Sequence, residues 1–64
     1  MRRRRTRYAQ LARLTPGESV LFEGKTAVSM SASLHYWRRA TGFGLRGRTV
    51  LSRGVWACRV TRYS

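Results

Sequence analysis

The sequence predicts a small α+β domain, in which one helix packs on one face of a three-stranded antiparallel sheet of spatial order 1-3-2 (β-α-β-β). Three observations carry this prediction. Within residues 26–41, Ala27, Met30, Leu34 and Trp37 recur three, four and three positions apart, the spacing that lines one face of a helix with apolar side chains. Residues 55–63 alternate instead, with Trp56, Cys58 and Val60 on one side and Ala57, Arg59, Thr61 and Tyr63 on the other, which is the period of a half-buried strand. Glycine-containing breaks at Gly24-Lys25, Gly42 and Arg53-Gly54 separate the patterns.

The elements follow in order. Residues 1–7 contain Arg2, Arg3, Arg4, Arg5 and Arg7 and no apolar period, so they are expected to form a flexible basic arm ahead of a single domain over 8–64. Tyr8 to Leu14 suits two turns of helix, with Tyr8, Leu11 and Ala12 on one side and Pro16-Gly17 ending it. Ser19 to Glu23 reads as a strand, Val20 and Phe22 facing one way and Leu21 the other. The helix is expected to begin at an N-cap, Thr26, and to end at Gly42, with Arg38 and Arg39 in its last turn complementing the dipole.

Leu45–Ser52 and Val55–Tyr63 then form a hairpin across Arg53-Gly54. In the first of these strands, facing Arg46 and Arg48 inward with no acid nearby would cost several kcal/mol, so Leu45, Thr49 and Leu51 are expected inward. A right-handed crossover makes the first two strands parallel and leaves the third between them. The expected core is Val20, Phe22, Met30, Leu34, Trp37, Leu45, Leu51, Trp56, Cys58 and Val60. The uncovered face is expected to carry Arg46, Arg48, Arg59, Thr61 and Tyr63.

Composition narrows the function. The chain has 64 residues, with fourteen Lys and Arg against two acids, a formal net charge of +12. This is one domain at most, and a domain so small buries only about 60% of its unfolded surface. An apolar fraction of 42%, with two Trp, two Phe and three Tyr, is too high for a disordered tail. No apolar run approaches the roughly 20 residues of a membrane-spanning helix, and the Arg-rich start leads into no apolar stretch of the secretory kind. A lone Cys58 makes no internal disulfide, which fits a reducing compartment such as the cytoplasm.

Thirteen of the fourteen basic residues are Arg, and without the first seven positions the chain still has nine cations against Glu18 and Glu23. A G- and C-rich genome explains Arg over Lys but not the shortage of acids. Self-repulsion of this size weakens a compact state, and a polyanionic partner relieves it.

The stretches Leu14-Thr-Pro-Gly-Glu-Ser-Val20, Gly42-Phe-Gly-Leu-Arg-Gly-Arg-Thr-Val50 and Val55-Trp-Ala-Cys-Arg-Val60, with a helix of small and aromatic residues between the first two, resemble small basic phage and prophage proteins over about residues 11–63. The resemblance implies a β-α-β-β domain of a phage-encoded accessory protein, either a nucleic-acid binder or an inhibitor directed at the host.

Catalysis is not expected. The chain has no Asp, one His (His35), one thiol (Cys58) and two carboxylates flanking a single strand, so neither a nucleophilic triad nor a metal or cofactor site can be assembled. Gly42, Gly44 and Gly47 do not open a helix after a strand, as a phosphate-cradling loop would; they are expected to turn the chain and relieve crowding near Trp37. Trp37 and Trp56 are assigned to the core, Cys58 to a buried structural thiol, and Tyr8 and Tyr63 to the surface.

Phosphate recognition remains. Arginine forks pair bidentately with phosphate oxygens and guanine edges. Candidate contacts are Arg2, Arg3, Arg4, Arg5 and Arg7 in a groove, or as a non-specific tether; Arg46, Arg48, Arg59 and Tyr63 on the sheet; and Arg38 and Arg39 if the helix faces the partner. The leading expectation is a non-enzymatic nucleic-acid-binding protein, preferring duplex DNA with low sequence specificity and associated with DNA in the (host) cytoplasm. Two alternatives stand beside it: a phage inhibitor docking on a host protein machine such as RNA polymerase or a defence nuclease complex, and an RNA- or ribosome-associated basic protein. The open sheet face also makes a homodimer a candidate assembly.

Overall fold

The two C-terminal strands organise the molecule. In the computed structural model, which describes residues 8–64, the chain runs through a 3-10 helix (Ala9–Arg13), β1 (Ser19–Glu23), α1 (Ser31–Thr41), β2 (Leu45–Ser52) and β3 (Val55–Arg62). The Arg2–Arg5 and Arg7 cluster lies outside the described residues. The sheet order is β1-β3-β2, and β3 pairs antiparallel with both neighbours, so the 1-3-2 α+β arrangement stands as expected. β2 and β3 close with Ser52 opposite Val55, which leaves Arg53 (φ 54°) and Gly54 (φ 78°) as a two-residue turn. Positive φ at both positions is the type I′ pattern that matches the twist of a hairpin.

The register sorts the side chains. Ser19, Thr61 and Arg46 lie in one cross-strand row, Leu21, Arg59 and Arg48 in the next, and Glu23, Ala57 and Val50 in the third, all on one face. Val20 and Phe22 share the other face with Leu45, Gly47, Cys58 and Val60. This inner face is covered by α1 on the β2 side and by the 3-10 helix, while no described element packs on the opposite face, where Ala57 alone is fully buried, between Glu23 and Val50. The Cα envelope of 32 × 31 × 17 Å is accordingly flat.

The core is built from Leu11, Leu14, Met30, Leu34, Leu45, Cys58 and Val60, with Val20, Phe22, Trp37 and Phe43 partly buried against it. Leu11 is fully buried, and Tyr8 packs edge-on against Phe22 at 4.9 Å, so the residue expected at the surface is half-buried. The segment before β1 is therefore part of the core, in 3-10 rather than α-helical form. Two assignments are corrected at the other end. Trp56 and Leu51 face the helix side as their alternation requires, yet they are 59% and 63% exposed. No described element packs over them at the hairpin end.

The helix begins later than the spacing suggests. The Thr26 N–H donates to Ser29 Oγ (2.8 Å) and the Ser29 N–H to Thr26 Oγ1 (3.2 Å). This is the reciprocal bonding of a capping box, but it closes a separate turn over residues 27–30 before α1 starts at Ser31. At the C-terminus Gly42 adopts φ 77° and its N–H donates to Arg38 O (2.8 Å), the left-handed stop expected there. Crowding is relieved at Gly44 and Gly47, and not at Trp37 itself: a Cβ on Gly44 would run into Ser64 Oγ and the Tyr63 ring, and one on Gly47 would lie 2.6 Å from Leu34 Cδ1 and 3.3 Å from Cys58 Sγ.

Candidate nucleic-acid interface

Arg46, Arg48 and Arg59 are exposed and adjacent on the open face. Arg48 stands directly across the ladder from Arg59, and Arg46 follows two residues along β2 on the same side. Adjacent antiparallel positions lie about 4.5–5.5 Å apart at Cα, and alternate residues on one strand about 7 Å. Three guanidinium groups therefore arise from one small patch. Like charges directly opposite each other destabilise a sheet. Glu23, the one carboxylate on this face, sits in the third row, diagonal to Arg59. The Arg46 guanidinium lies 5.5 Å from the ring of Tyr63, which is exposed at the end of β3 and gives the patch an aromatic margin. Ser19 and Thr61 hydroxyls, 3.0 Å apart, complete the Arg46 row.

The remaining basic residues are dispersed. Arg38 and Arg39 lie on α1, which packs against the opposite face of the sheet, so the structure does not bring them to the Arg46–Arg48–Arg59 patch. Arg38 also has a structural task, its Nε–H donating to Leu45 O at 2.8 Å and tying the helix to the start of β2. Alternation carried one step beyond Val60 turns Arg62 inward, opposite Leu45. It is a clamp: Nη1 donates to Leu14 O (2.8 Å), Nε to Ser64 O (2.9 Å), and its Cζ sits 3.6 Å from the Phe43 ring centroid. Arg53 is exposed in the hairpin turn beside Val55 and Trp56; the alternation of β3 points Val55 outward but does not signal the exposure of Trp56.

The described residues bring together no chemical machinery of another kind. Among them no three His, Cys, Asp or Glu side chains are grouped to hold a metal ion. Burial pushes the Cys58 thiol pKa up, against a smaller opposing effect from the Arg48 backbone hydrogen bond, which favours an unreactive protonated thiol. His35 is exposed on α1. Among the described residues no helix is long and apolar enough to cross a membrane. No known protein family, curated protein or solved structure matches the chain.

Proposed function

We propose that this is a non-enzymatic nucleic-acid-binding protein that lays the open face of its sheet along the phosphate backbone of duplex DNA with low sequence specificity. The observation that carries the reading is the contiguous Arg46–Arg48–Arg59 patch on a sheet face that no described element covers. Folding places these like charges side by side, and a line of phosphates offsets the repulsion through charge-assisted hydrogen bonds that a guanidinium fork makes in pairs. Low specificity follows from the presenting element: the patch carries Arg, Thr and Tyr on a sheet, with no helix offering a row of polar base-reading side chains to a groove. The arm of residues 1–7 adds sequence-independent phosphate contacts in this reading, and the expected setting is DNA-associated in a cytoplasm, the host's if the chain is phage-encoded.

The test is charge reversal. Arg46→Glu, Arg48→Glu and Arg59→Glu together should lower affinity for a labelled duplex by about 100-fold or more, read by fluorescence anisotropy, with circular dichroism unchanged because all three side chains are exposed. Retained affinity in the triple variant, with loss only on changing Arg38 and Arg39, would move the interface to the helix and overturn the assignment.

A further inference from the structure

The β2–β3 hairpin end gathers three exposed apolar side chains. Trp56 and Leu51 face each other across the ladder at 59% and 63% exposure, and Val55, on the opposite side of the tip, is 47% exposed. α1 and the 3-10 helix cover the inner face only up to the Thr49–Cys58 row, where the Ala27 N–H donates to Thr49 Oγ1 at 2.8 Å. The tip is also cationic. Arg53 is exposed in the turn, and the Gly24 N–H donates to Trp56 O at 2.8 Å, which places the Gly24-Lys25 corner beside the tryptophan backbone.

The charge decides what suits this surface. A second copy docking symmetrically would set Arg53 against Arg53, and an uncharged apolar partner would leave that guanidinium without a counter-ion. A nucleotide matches both parts at once, its base offering a π-face to the indole and its phosphate an acceptor to the guanidinium. Base–aromatic stacking of this kind tolerates any base. A paired base keeps its faces inside the duplex, so the base in question must be unpaired. Trp56 is three residues along β3 from Arg59, about 10 Å of strand, and on the opposite face of the sheet, so a strand leaving a duplex held on the arginine patch reaches the indole by passing round the hairpin tip at Arg53.

We propose that the hairpin tip is a nucleotide-stacking site, in which Trp56 stacks an unpaired base, Leu51 supports the indole and Arg53 pairs with the adjoining phosphate. The site rests on the nucleic-acid reading and extends it from paired DNA to junctions between paired and unpaired strands.

The experiment uses the full chain and three DNAs of equal paired length: a blunt duplex, a duplex with a short thymidine overhang, and one whose overhang is abasic and so carries the phosphates without the bases. The thymidine overhang should bind about tenfold tighter than the abasic one and quench tryptophan fluorescence. Trp56→Ala should remove the difference while leaving blunt-duplex affinity and thermal stability nearly unchanged; Trp56→Phe should keep part of it. Equal affinity for thymidine and abasic overhangs in the wild-type protein overturns the stacking site but leaves the duplex reading intact. Failure to bind any of the three overturns both.

Discussion

Glu18 shows how much a single exposed residue can contribute to a chain with so few acids. Its carboxylate accepts the Thr15 N–H at 2.8 Å, and its own N–H donates to Thr15 O at 2.9 Å, closing the turn that delivers the chain into β1. The backbone hydrogen bond from Thr15 holds the Glu18 pKa below its ordinary value. A pKa depressed by folding means that the stabilisation is fully present above the unfolded carboxylate value and is lost as pH falls through the lowered one. Glu18→Gln should therefore be less stable than the wild type at neutral pH, with the gap closing in acid below that lowered value. Urea midpoints across a pH series check this, and a wild-type-to-variant gap independent of pH would contradict it. Arg62 makes a related point. A guanidinium engaged by two carbonyls and an aromatic ring is part of the scaffold, so counting arginines overstates the number available to a partner.

At the scale of elements, the contact between α1 and β2 is set by one missing side chain. Leu34 is buried over Gly47, and a Cβ there would sit 2.6 Å from Leu34 Cδ1. Gly47→Ala should cost about 1–3 kcal/mol through overpacking. Leu34→Ala should cost about 2–5 kcal/mol through the cavity it leaves. Because the added methyl occupies part of the space vacated, the double variant should lose less than the two single losses combined. Denaturation of the four proteins checks this, and additive losses would show that the helix does not rest on Gly47.

The same element explains which parts of the fold were legible in the sequence. The apolar spacing of Met30, Leu34 and Trp37 marks the helix face, and the β3 alternation correctly turns Arg59 outward and Cys58 and Val60 inward. Alternation gives a direction, however, and burial needs something to pack on that side. An eleven-residue helix is about 16 Å long, whereas an eight-residue strand spans about 27 Å, so α1 leaves Leu51 and Trp56 uncovered. Leu11 differs in the opposite direction: the short pattern of Tyr8, Leu11 and Ala12 marks one side of a helix, and only tertiary packing reveals that this side belongs to the core. Thr26, the expected N-cap, does make the reciprocal bonds of a cap with Ser29, but one turn ahead of α1.

For the molecule as a whole, the question is how a net charge of +12 is arranged. Among the described residues the cations are not gathered on one side. Arg38 and Arg62 are tied to main-chain carbonyls, Arg39 lies on the helix and Arg53 at the hairpin tip, and three arginines share the uncovered sheet face. Sequence periodicity identified those three, since facing Arg46 and Arg48 inward is prohibitive; their adjacency came from the register, which places Arg48 opposite Arg59. A patch of this kind, helped by the Arg-rich first seven residues, should neutralise about five to seven phosphates.

That number is directly measurable. Affinity for a plain duplex should be followed across a range of salt concentrations. The proposed function predicts a straight log–log plot with a slope of about −4 to −6. A slope near zero, or no binding at low salt, would mean that the arginines do not meet a phosphate backbone, and would contradict the proposal.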